Sequence, residues 1–202
     1  MATADVLEIR TDPQLEWWRP LVQWFLCLPH LLYLGALTVL AVGAAVATAT
    51  SVLATRRVPW RLGAFQVLYL RERARCFSCF WVLRTSVPPY ATAATADDPG
   101  DDPMVTVSLD VPRRIPRSAL VLRPLVVLPH LLVMAPIAVV LDVCYPLWML
   151  VAAVNRGWTP GTAAFLVRVE RSVVAVLAYV LLVSDERPAF GVGRATAWQA
   201  AP

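Results

Sequence analysis

The tetrapeptide Pro-His-Leu-Leu occurs twice, at residues 29–32 and 129–132, each time at the start of a long apolar run. The same offset of 100 residues (29 to 129) aligns further identical residues without a gap. These pairs are Arg56 and Arg156, Phe65 and Phe165, Val67 and Val167, Arg71 and Arg171, and Pro88 and Pro188. The sequence therefore predicts a tandem duplication of one module of about 90 residues.

The composition is typical of a membrane protein. Hydrophobic residues make up 58% of the chain, charged residues make up 16%, and the mean hydropathy is +0.61. In soluble domains about a quarter of the residues are charged. The excess of apolar residues in this chain is concentrated in blocks, which indicates membrane segments. All 18 basic residues are arginine, which we attribute to coding bias. In spite of the pI near 9.2, we predict no nucleic-acid partner, because no aromatic-basic motif accompanies the charge.

The apolar runs predict an all-α integral membrane protein. Residues 30–53 carry no charge, and about 24 helical residues extend roughly 36 Å, enough to cross a hydrocarbon core of about 30 Å. The second run covers residues 130–154, and each module continues into a second helix, at 62–83 and at 163–183. We predict four transmembrane helices, because repeats in parallel need an even number of crossings. Two spans with two helices on the membrane surface is the alternative.

The remaining segments separate the two modules. Residues 5–13 and 104–112 alternate apolar and polar side chains, which predicts a short strand before each repeat, and these strands could pair with each other. The predicted layout is a membrane repeat over 1–90, an acidic flexible linker over 91–103, a second membrane repeat over 104–190 and a disordered tail over 191–202. The acidic stretch Asp97–Asp102 is expected to be solvated.

His30 and His130 are the only histidines and hold matching positions after a proline. Pro29 leaves the carbonyl of Phe25 without its usual helical partner, and an imidazole or water could bind that carbonyl. The functional alternative is that a pseudo-twofold axis brings both imidazoles together, as a proton relay or as ligands of haem or a metal.

The four cysteines all lie in apolar stretches and do not resemble the disulfide framework of a secreted protein. Cys76 and Cys79 form a Cys-x-x-Cys pair, but the sequence near them offers neither a second pair nor a histidine, so it predicts no zinc site. We interpret them as small apolar helix residues and predict no cofactor.

Three charged residues are candidate functional residues. Asp142 lies about twelve residues into the second span, roughly 18 Å by helix rise, where a carboxylate requires an ion pair or water. An arginine of a second helix, such as Arg71, Arg168 or Arg171, could form that pair; a place on an ion or solute path is the alternative. Arg71 and Arg171 match across the repeats and are expected on a solvated face, with a contact to lipid phosphate as the alternative.

Three features of the chain resemble a bacterial membrane-protein family. They are the two Leu-Pro-His segments that begin the apolar runs, the short turns at residues 55–60 and 155–160, and the segments Pro88-Pro89-Tyr90 and Arg187-Pro188-Ala189-Phe190 that follow the second helices. This family is catalogued as domain of unknown function 4389, and its members resemble this chain in carrying tandem copies. The turn Arg56-Arg57-Val58-Pro59-Trp60 departs from the pattern because it lacks a glycine. The resemblance implies a bacterial membrane protein and brings no activity, catalytic residue or cofactor with it.

The sequence favours a non-enzymatic scaffold or accessory subunit, because no catalytic constellation is recognisable. Its partners would be the lipid bilayer and a membrane protein or a second copy of the chain. Alternatives are a small channel or transporter using Asp142 and the paired histidines, and a haem- or metal-binding redox protein. We predict a multi-pass protein of the bacterial cytoplasmic membrane. The first 19 residues have no basic region before an apolar core and no small-residue cleavage site, so no removable signal peptide is expected. The positive-inside rule predicts cytoplasmic termini for four spans, whereas with two spans the termini would lie outside.

Overall fold

The computed structural model describes residues 7–12 and 14–188, which form mainly helices. The helices are α1 (Arg19–Leu26), α2 (Leu28–Thr55), α3 (Trp60–Phe80), α4 (Ala119–Val143), α5 (Tyr145–Asn155) and α6 (Pro160–Val180). The strands are β1 (Leu7–Ile9) and β2 (Val105–Val107). The tail predicted over 191–202 lies outside the described residues.

The short strands predicted before each repeat are confirmed, and so is their pairing. Strands β1 and β2 form an antiparallel two-stranded sheet in which Leu7 lies opposite Val107 and Ile9 opposite Val105. The apolar side chains at these positions are buried, and Glu8 between them is exposed. The sheet packs on α3 and α6, so its alternating pattern is explained by one covered and one open face.

The two apolar runs are interrupted at different positions, and in each case a proline lies just after the break. The chain breaks at Cys27, so that Pro29 falls in the first turn of α2, where its missing N–H costs little. The matching Pro129 lies inside α4. The second run, predicted as one span over 130–154, is instead interrupted at Cys144, because Pro146 opens α5. The two long helical arms are therefore 19–55 and 119–155, each with one break.

Both arms end in the same way. Arg56 and Arg156 adopt left-handed backbone conformations, with φ of 57° and 53°, and so terminate the helices as a glycine often does. The next helices start at Trp60 and Pro160, and Thr159 caps α6 by accepting a hydrogen bond from the Thr162 N–H at 3.2 Å. The two turns share this left-handed arginine but differ at the next residue, where Gly157 has a φ of 148° and donates to the Ala152 carbonyl, while Arg57 pairs with Arg114.

Helices α3 and α6 lie at the centre of the molecule. Helix α3 packs against α2, α6 and β2, while α6 packs against α4 and β1. Their apolar residues, such as Leu70 and Leu166, form the main hydrophobic core with the two strands. Helix α3 also takes Arg71, Glu72 and Arg75 into the interior, where all three are fully buried.

Backbone hydrogen bonds between the two halves occur in a reciprocal pair. The N–H of Ile115 donates to the carbonyl of Arg56 at 3.1 Å, and the N–H of Leu15 donates to the carbonyl of Arg156 at 2.9 Å. The start of each half therefore binds the end of the long arm of the other half. Helix α1 accordingly packs beside α5, and the two arms run antiparallel.

Two arginine side chains form a second reciprocal pair. Arg71 on α3 donates to the carbonyl of Val107 in β2 at 3.3 Å. Arg171 on α6 donates to the carbonyl of Leu7 in β1 at 3.2 Å. Each central helix therefore holds the strand that belongs to the other half of the chain.

Among the described residues, two helices are long and apolar enough to cross a membrane, α2 and α4. In an 18-residue apolar stretch of each helix, only 22% of α2 and 17% of α4 is buried. The core helix of a soluble protein would be mostly buried. Val39 and Leu132 are typical, with exposed fractions of 73% and 77%. Helices α3 and α6, the other two predicted spans, do not meet the same requirement.

The segment between α3 and α4, residues 81–118, is called the connector below. It contains the acidic stretch that was expected to be solvated, and for Asp102 this prediction is wrong, because the side chain is fully buried. Asp98 and Asp101 also face buried arginines of α3. The connector is therefore fastened to α3 by ion pairs.

Candidate functional site

A buried polar cluster lies where the start of α2 meets the middle of α3. His30 follows Pro29 in the first turn of α2, and its Nδ1 lies 2.9 Å from Oε1 of Glu72. The imidazole is 2% exposed and the carboxylate is fully buried. The Nδ1 atom of this imidazole therefore faces Glu72 of α3, whereas the sequence offered an imidazole or water as a partner of the Phe25 carbonyl.

Cys76 joins this pair because it lies one helical turn after Glu72. Its thiol lies 3.6 Å from Oε1 of Glu72 and 3.5 Å from the carbonyl oxygen of His30. One ligand atom of each of His30, Glu72 and Cys76 lies within 4.8 Å of the other two. Nitrogen, sulfur and carboxylate oxygen are the three donor types that bind zinc and related divalent metals.

The Pro-Pro-Tyr segment at residues 88–90 and the adjacent Ala91 cover this cluster. The N–H of Ala91 donates to Oε2 of Glu72 at 2.8 Å, so the second carboxylate oxygen is also satisfied. The ring of Tyr90 stacks on His30 with centroids 4.2 Å apart, and the hydroxyl of Tyr33 donates to the carbonyl of Ala91 at 2.9 Å. These contacts fix the imidazole and carboxylate in one orientation, as outer partners do for metal ligands.

Arg71 lies beside the cluster but is fully buried instead of lying on the expected solvated face. Its guanidinium donates to the carbonyls of Ala93 and Asp97 at 3.1 and 3.2 Å, and its Nε lies 3.6 Å from Asp98. A lipid phosphate cannot replace these contacts without removing the connector. Arg71 is therefore a structural residue that anchors the connector.

Arg75 anchors the next part of the connector. It donates to both carboxylate oxygens of Asp101, at 2.5 and 3.1 Å, and hydrogen bonding from this guanidinium lowers the pKa of Asp101. Its Nε lies 3.6 Å from Asp102, which also accepts from Arg84 at 2.6 Å. Bidentate arginine–carboxylate pairs are among the strongest hydrogen bonds in proteins.

Within the described residues, the second half of the chain has no matching cluster. His130 lies against backbone oxygens, with Nδ1 3.2 Å from the carbonyl of Val126 and Nε2 3.0 Å from that of Pro188. Ser172 and Val176 stand at the positions of Glu72 and Cys76. The two imidazoles thus have separate surroundings, each within its own half, and the geometry does not support a shared haem or proton-relay site.

Asp142 is placed differently from its prediction. Because α4 begins at Ala119, Asp142 is the penultimate residue of that helix and not the middle of a span. Its side chain is exposed, and no basic side chain in the described part of the chain forms an ion pair with it. Arg171 instead binds the Leu7 carbonyl.

Glu170 is a buried acid to which the sequence gave no role beyond being a neighbour of Arg171. It is fully buried on α6, with Arg73 of α3 at 3.1 Å from Oε2. Its Oε1 has no hydrogen-bond partner among the residues described. Burial raises the pKa of Glu170 to about 7 against the opposing effect of Arg73. An acid at a helix–helix contact such as α3–α6 is visible only in the tertiary structure.

The interpretation of the cysteines is confirmed in part. All four thiols are free, and Cys27, Cys76 and Cys79 are buried. The sequence near Cys76 contains no histidine, but α2 brings His30 to it from 46 residues away in sequence.

No protein family, curated protein or solved structure matches the chain. The resemblance to a bacterial membrane-protein family remains a prediction.

We predict that Arg71→Met lowers the free energy of unfolding by about 3–5 kcal/mol, since it removes a fully buried guanidinium that pairs with Asp98 and donates to the carbonyls of Ala93, Asp97 and Val107. Arg187→Met, at an exposed position, should change it by less than about 0.5 kcal/mol. Urea unfolding in a mild detergent measures both variants. Equal changes in the two variants would show that the contacts of Arg71 stabilise the fold no more than an exposed arginine does.

The raised pKa of Glu170 predicts a pH-dependent stability. The folded protein keeps the proton up to about pH 7, whereas the unfolded chain loses it near 4.5; stability is therefore fully present below 4.5 and declines as the pH rises to 7. The shift corresponds to about 3 kcal/mol. Glu170→Gln should remove most of this slope in thermal melts between pH 4 and 8, and a slope identical to wild type would contradict the assignment.

Proposed function

We propose that the protein is a non-enzymatic membrane scaffold that lies in the plane of the bilayer, with α2 and α4 embedded in one leaflet. The support is the exposed apolar surface of these helices. Residues 30–53 carry no charge, and an uncharged surface of this size is stable only against lipid or another apolar partner. Lipid is the occupant we propose, because the same surface extends over both arms.

The duplication predicted from the sequence is part of this proposal. The reciprocal hydrogen bonds of Ile115 with Arg56 and of Leu15 with Arg156 support two modules related by a pseudo-twofold axis. Leu7 and Val107, which the offset of 100 residues relates, face each other in the sheet. The axis would then pass through the sheet and run perpendicular to the antiparallel arms.

The path of the connector is the main reason for proposing an in-plane orientation. It contacts the start of α2 through Ala91, whose carbonyl binds Tyr33, and the end of α2 through Ile115, which binds Arg56. From residue 33 to residue 56 a helix rises about 34 Å. If α2 stood upright in the membrane, the non-helical residues 91–115 would cross the hydrocarbon core with it.

Such a crossing is physically unfavourable for this segment. Asp97, Asp101 and Asp110 are exposed, although they lie between the two contacts, and lipid-exposed irregular chain does not occur in the hydrocarbon region. This argument disfavours both the four-span and the two-span arrangement. An in-plane orientation leaves the connector and the sheet in water and α2 and α4 in the lipid.

Asp142, one residue before the end of α4, is compatible with the same orientation. Lying in the plane, the arm can present it at the level of the headgroups. No observation favours the channel alternative, since Asp142, His30 and His130 have no partner in common among the described residues.

Membrane-impermeant thiol labelling distinguishes the three arrangements. Thr55→Cys, Asp97→Cys and Asn155→Cys, each at an exposed position, are made in a Cys144→Ser background and labelled in intact cells and in inverted vesicles. The in-plane orientation predicts that all three positions react from the same side.

The two other arrangements give different patterns. Four spans would place position 97 opposite to 55 and 155, and two spans would place 155 opposite to 55 and 97. Either pattern would overturn the in-plane orientation. Full extraction of the protein by alkaline carbonate would contradict embedding in lipid altogether.

A second candidate function, metal binding, is favoured by the cluster of His30, Glu72 and Cys76. This candidate relies on three different donors from one half of the chain in place of the paired histidines, and a tetrahedral zinc site would need one further ligand. The donors suit Zn²⁺ or a similar borderline metal ion. A metal bound here would tie the start of α2 to the middle of α3.

Cobalt substitution tests this second function. The purified full chain, titrated with Co²⁺, should develop a thiolate-to-cobalt charge-transfer absorption at about one ion per chain. Cys76→Ser should abolish this band, while Cys79→Ser, a buried thiol one turn further on, should keep it. No band in wild type, or its loss in the Cys79 variant alone, would rule out the site.

A further inference from the structure

Six exposed arginines meet at one end of the molecule. They come from the α2–α3 turn, the first turn of α3 and the end of the connector: Arg56, Arg57, Arg61, Arg113, Arg114 and Arg117. This set is called the arginine surface below. The four-span prediction placed the first three and the last three on opposite sides of the membrane. The structure joins them, because Arg57 and Arg114 form an antiparallel bridge and the Val58 N–H donates to the Arg113 carbonyl at 3.2 Å.

No acidic group within residues 7–12 and 14–188 forms an ion pair with any arginine of this surface, in contrast to the buried Arg71 and Arg75. Arg117 donates only to the backbone, to the carbonyls of Leu53 and Ala54 at the end of α2. Six like charges held together by the fold repel one another unless an external anion is present. The charge therefore points to an anionic partner.

The surroundings of the arginine surface are apolar and aromatic. Trp60 is 71% exposed, and the guanidinium of Arg61 lies over its ring at 5.5 Å from the centroid. Leu53 at the end of α2 and Val121 and Leu122 at the start of α4 are also exposed. The surface is therefore continuous with the apolar faces of both arms. Tryptophan and arginine beside exposed leucine and valine are typical of the boundary between headgroups and acyl chains.

The other end of the molecule lacks this concentration of charge. There the reciprocal backbone contact joins Arg156 to Leu15, and the segment that matches residues 113–117 is Pro-Gln-Leu-Glu-Trp at 13–17, with no basic residue. The duplication alone does not require the charge, so the arginines are a property of one end.

We propose that the arginine surface binds the headgroup phosphates of anionic phospholipids in the leaflet that holds α2 and α4. This inference rests on the proposed in-plane orientation and adds its lipid preference. The guanidinium groups bind phosphate oxygens by paired hydrogen bonds, Trp60 lies at the headgroup level, and the adjacent ends of α2 and α4 enter the acyl region. The end with the arginines is thereby held to anionic lipid more strongly than the other end.

Lipid retention tests the proposal. The full chain is reconstituted in vesicles of equimolar phosphatidylglycerol and phosphatidylcholine, extracted in mild detergent and purified, and the retained lipids are quantified by mass spectrometry. Wild type should retain phosphatidylglycerol over phosphatidylcholine by about fivefold or more, since each arginine at an anionic surface contributes a factor of roughly five.

A matched pair of triple variants isolates the surface. Arg57→Gln, Arg61→Gln and Arg114→Gln together should reduce the enrichment to near unity. Arg10→Gln, Arg156→Gln and Arg187→Gln remove the same charge from exposed positions outside the surface and should preserve the enrichment. No enrichment in wild type, or equal loss in both variants, overturns the proposal.

Two further arms identify the anion and separate this proposal from the orientation. In the first arm, inorganic phosphate or chloride is added at equal ionic strength. If phosphate displaces phosphatidylglycerol and chloride does not, the surface is a site for free anions and the lipid assignment is overturned. Flotation of the wild-type protein with vesicles of phosphatidylcholine alone tests membrane embedding in the absence of anionic lipid. If wild type floats but shows no lipid preference, the arginine proposal fails and the proposed function stands; if it does not float, both fail.

Discussion

The structure depends on one constraint: α3 takes ionised side chains into the protein interior, and each of them must find a partner there. Arg71 and Arg75 are fully buried, and removing one partner from a buried pair typically costs about 3–5 kcal/mol. The connector supplies the partners through Asp98, Asp101 and its backbone carbonyls. This requirement holds the connector along α3 and, through Val107, also places the sheet.

The proposed in-plane orientation in the membrane rests on that placement. Helix α3 lies along α2, so a connector that covers α3 also extends along α2, from Ala91 to Ile115. The polar side of the molecule and the apolar arms therefore face different surroundings along their whole length. An in-plane orientation satisfies both sides, whereas an upright one satisfies only the arms.

The two halves keep the same backbone contacts but have different chemistry. Arg71 and Arg171 each hold the opposite strand, which needs only an arginine at one position of a helix. The cluster around His30 needs Glu72 and Cys76 as well, and the second half has Ser172 and Val176 there. The two halves can share framework contacts while only one of them carries the cluster, because framework contacts involve the backbone and the cluster involves particular side chains.

The sequence by itself determined the helical class, the two long apolar runs and the two short strands, because these follow from local periodicity. It offered the pairing of the strands only as a possibility, and it predicted no interruption at Cys144. It did not determine the surroundings of charged groups. Arg71 was expected in solvent and is buried, Asp142 was expected in an ion pair and is exposed, and His30 meets Cys76 across 46 residues. Only the tertiary structure decided these positions, since the partner of a buried charge is chosen by packing between distant segments, and local sequence contains no record of which segments will meet.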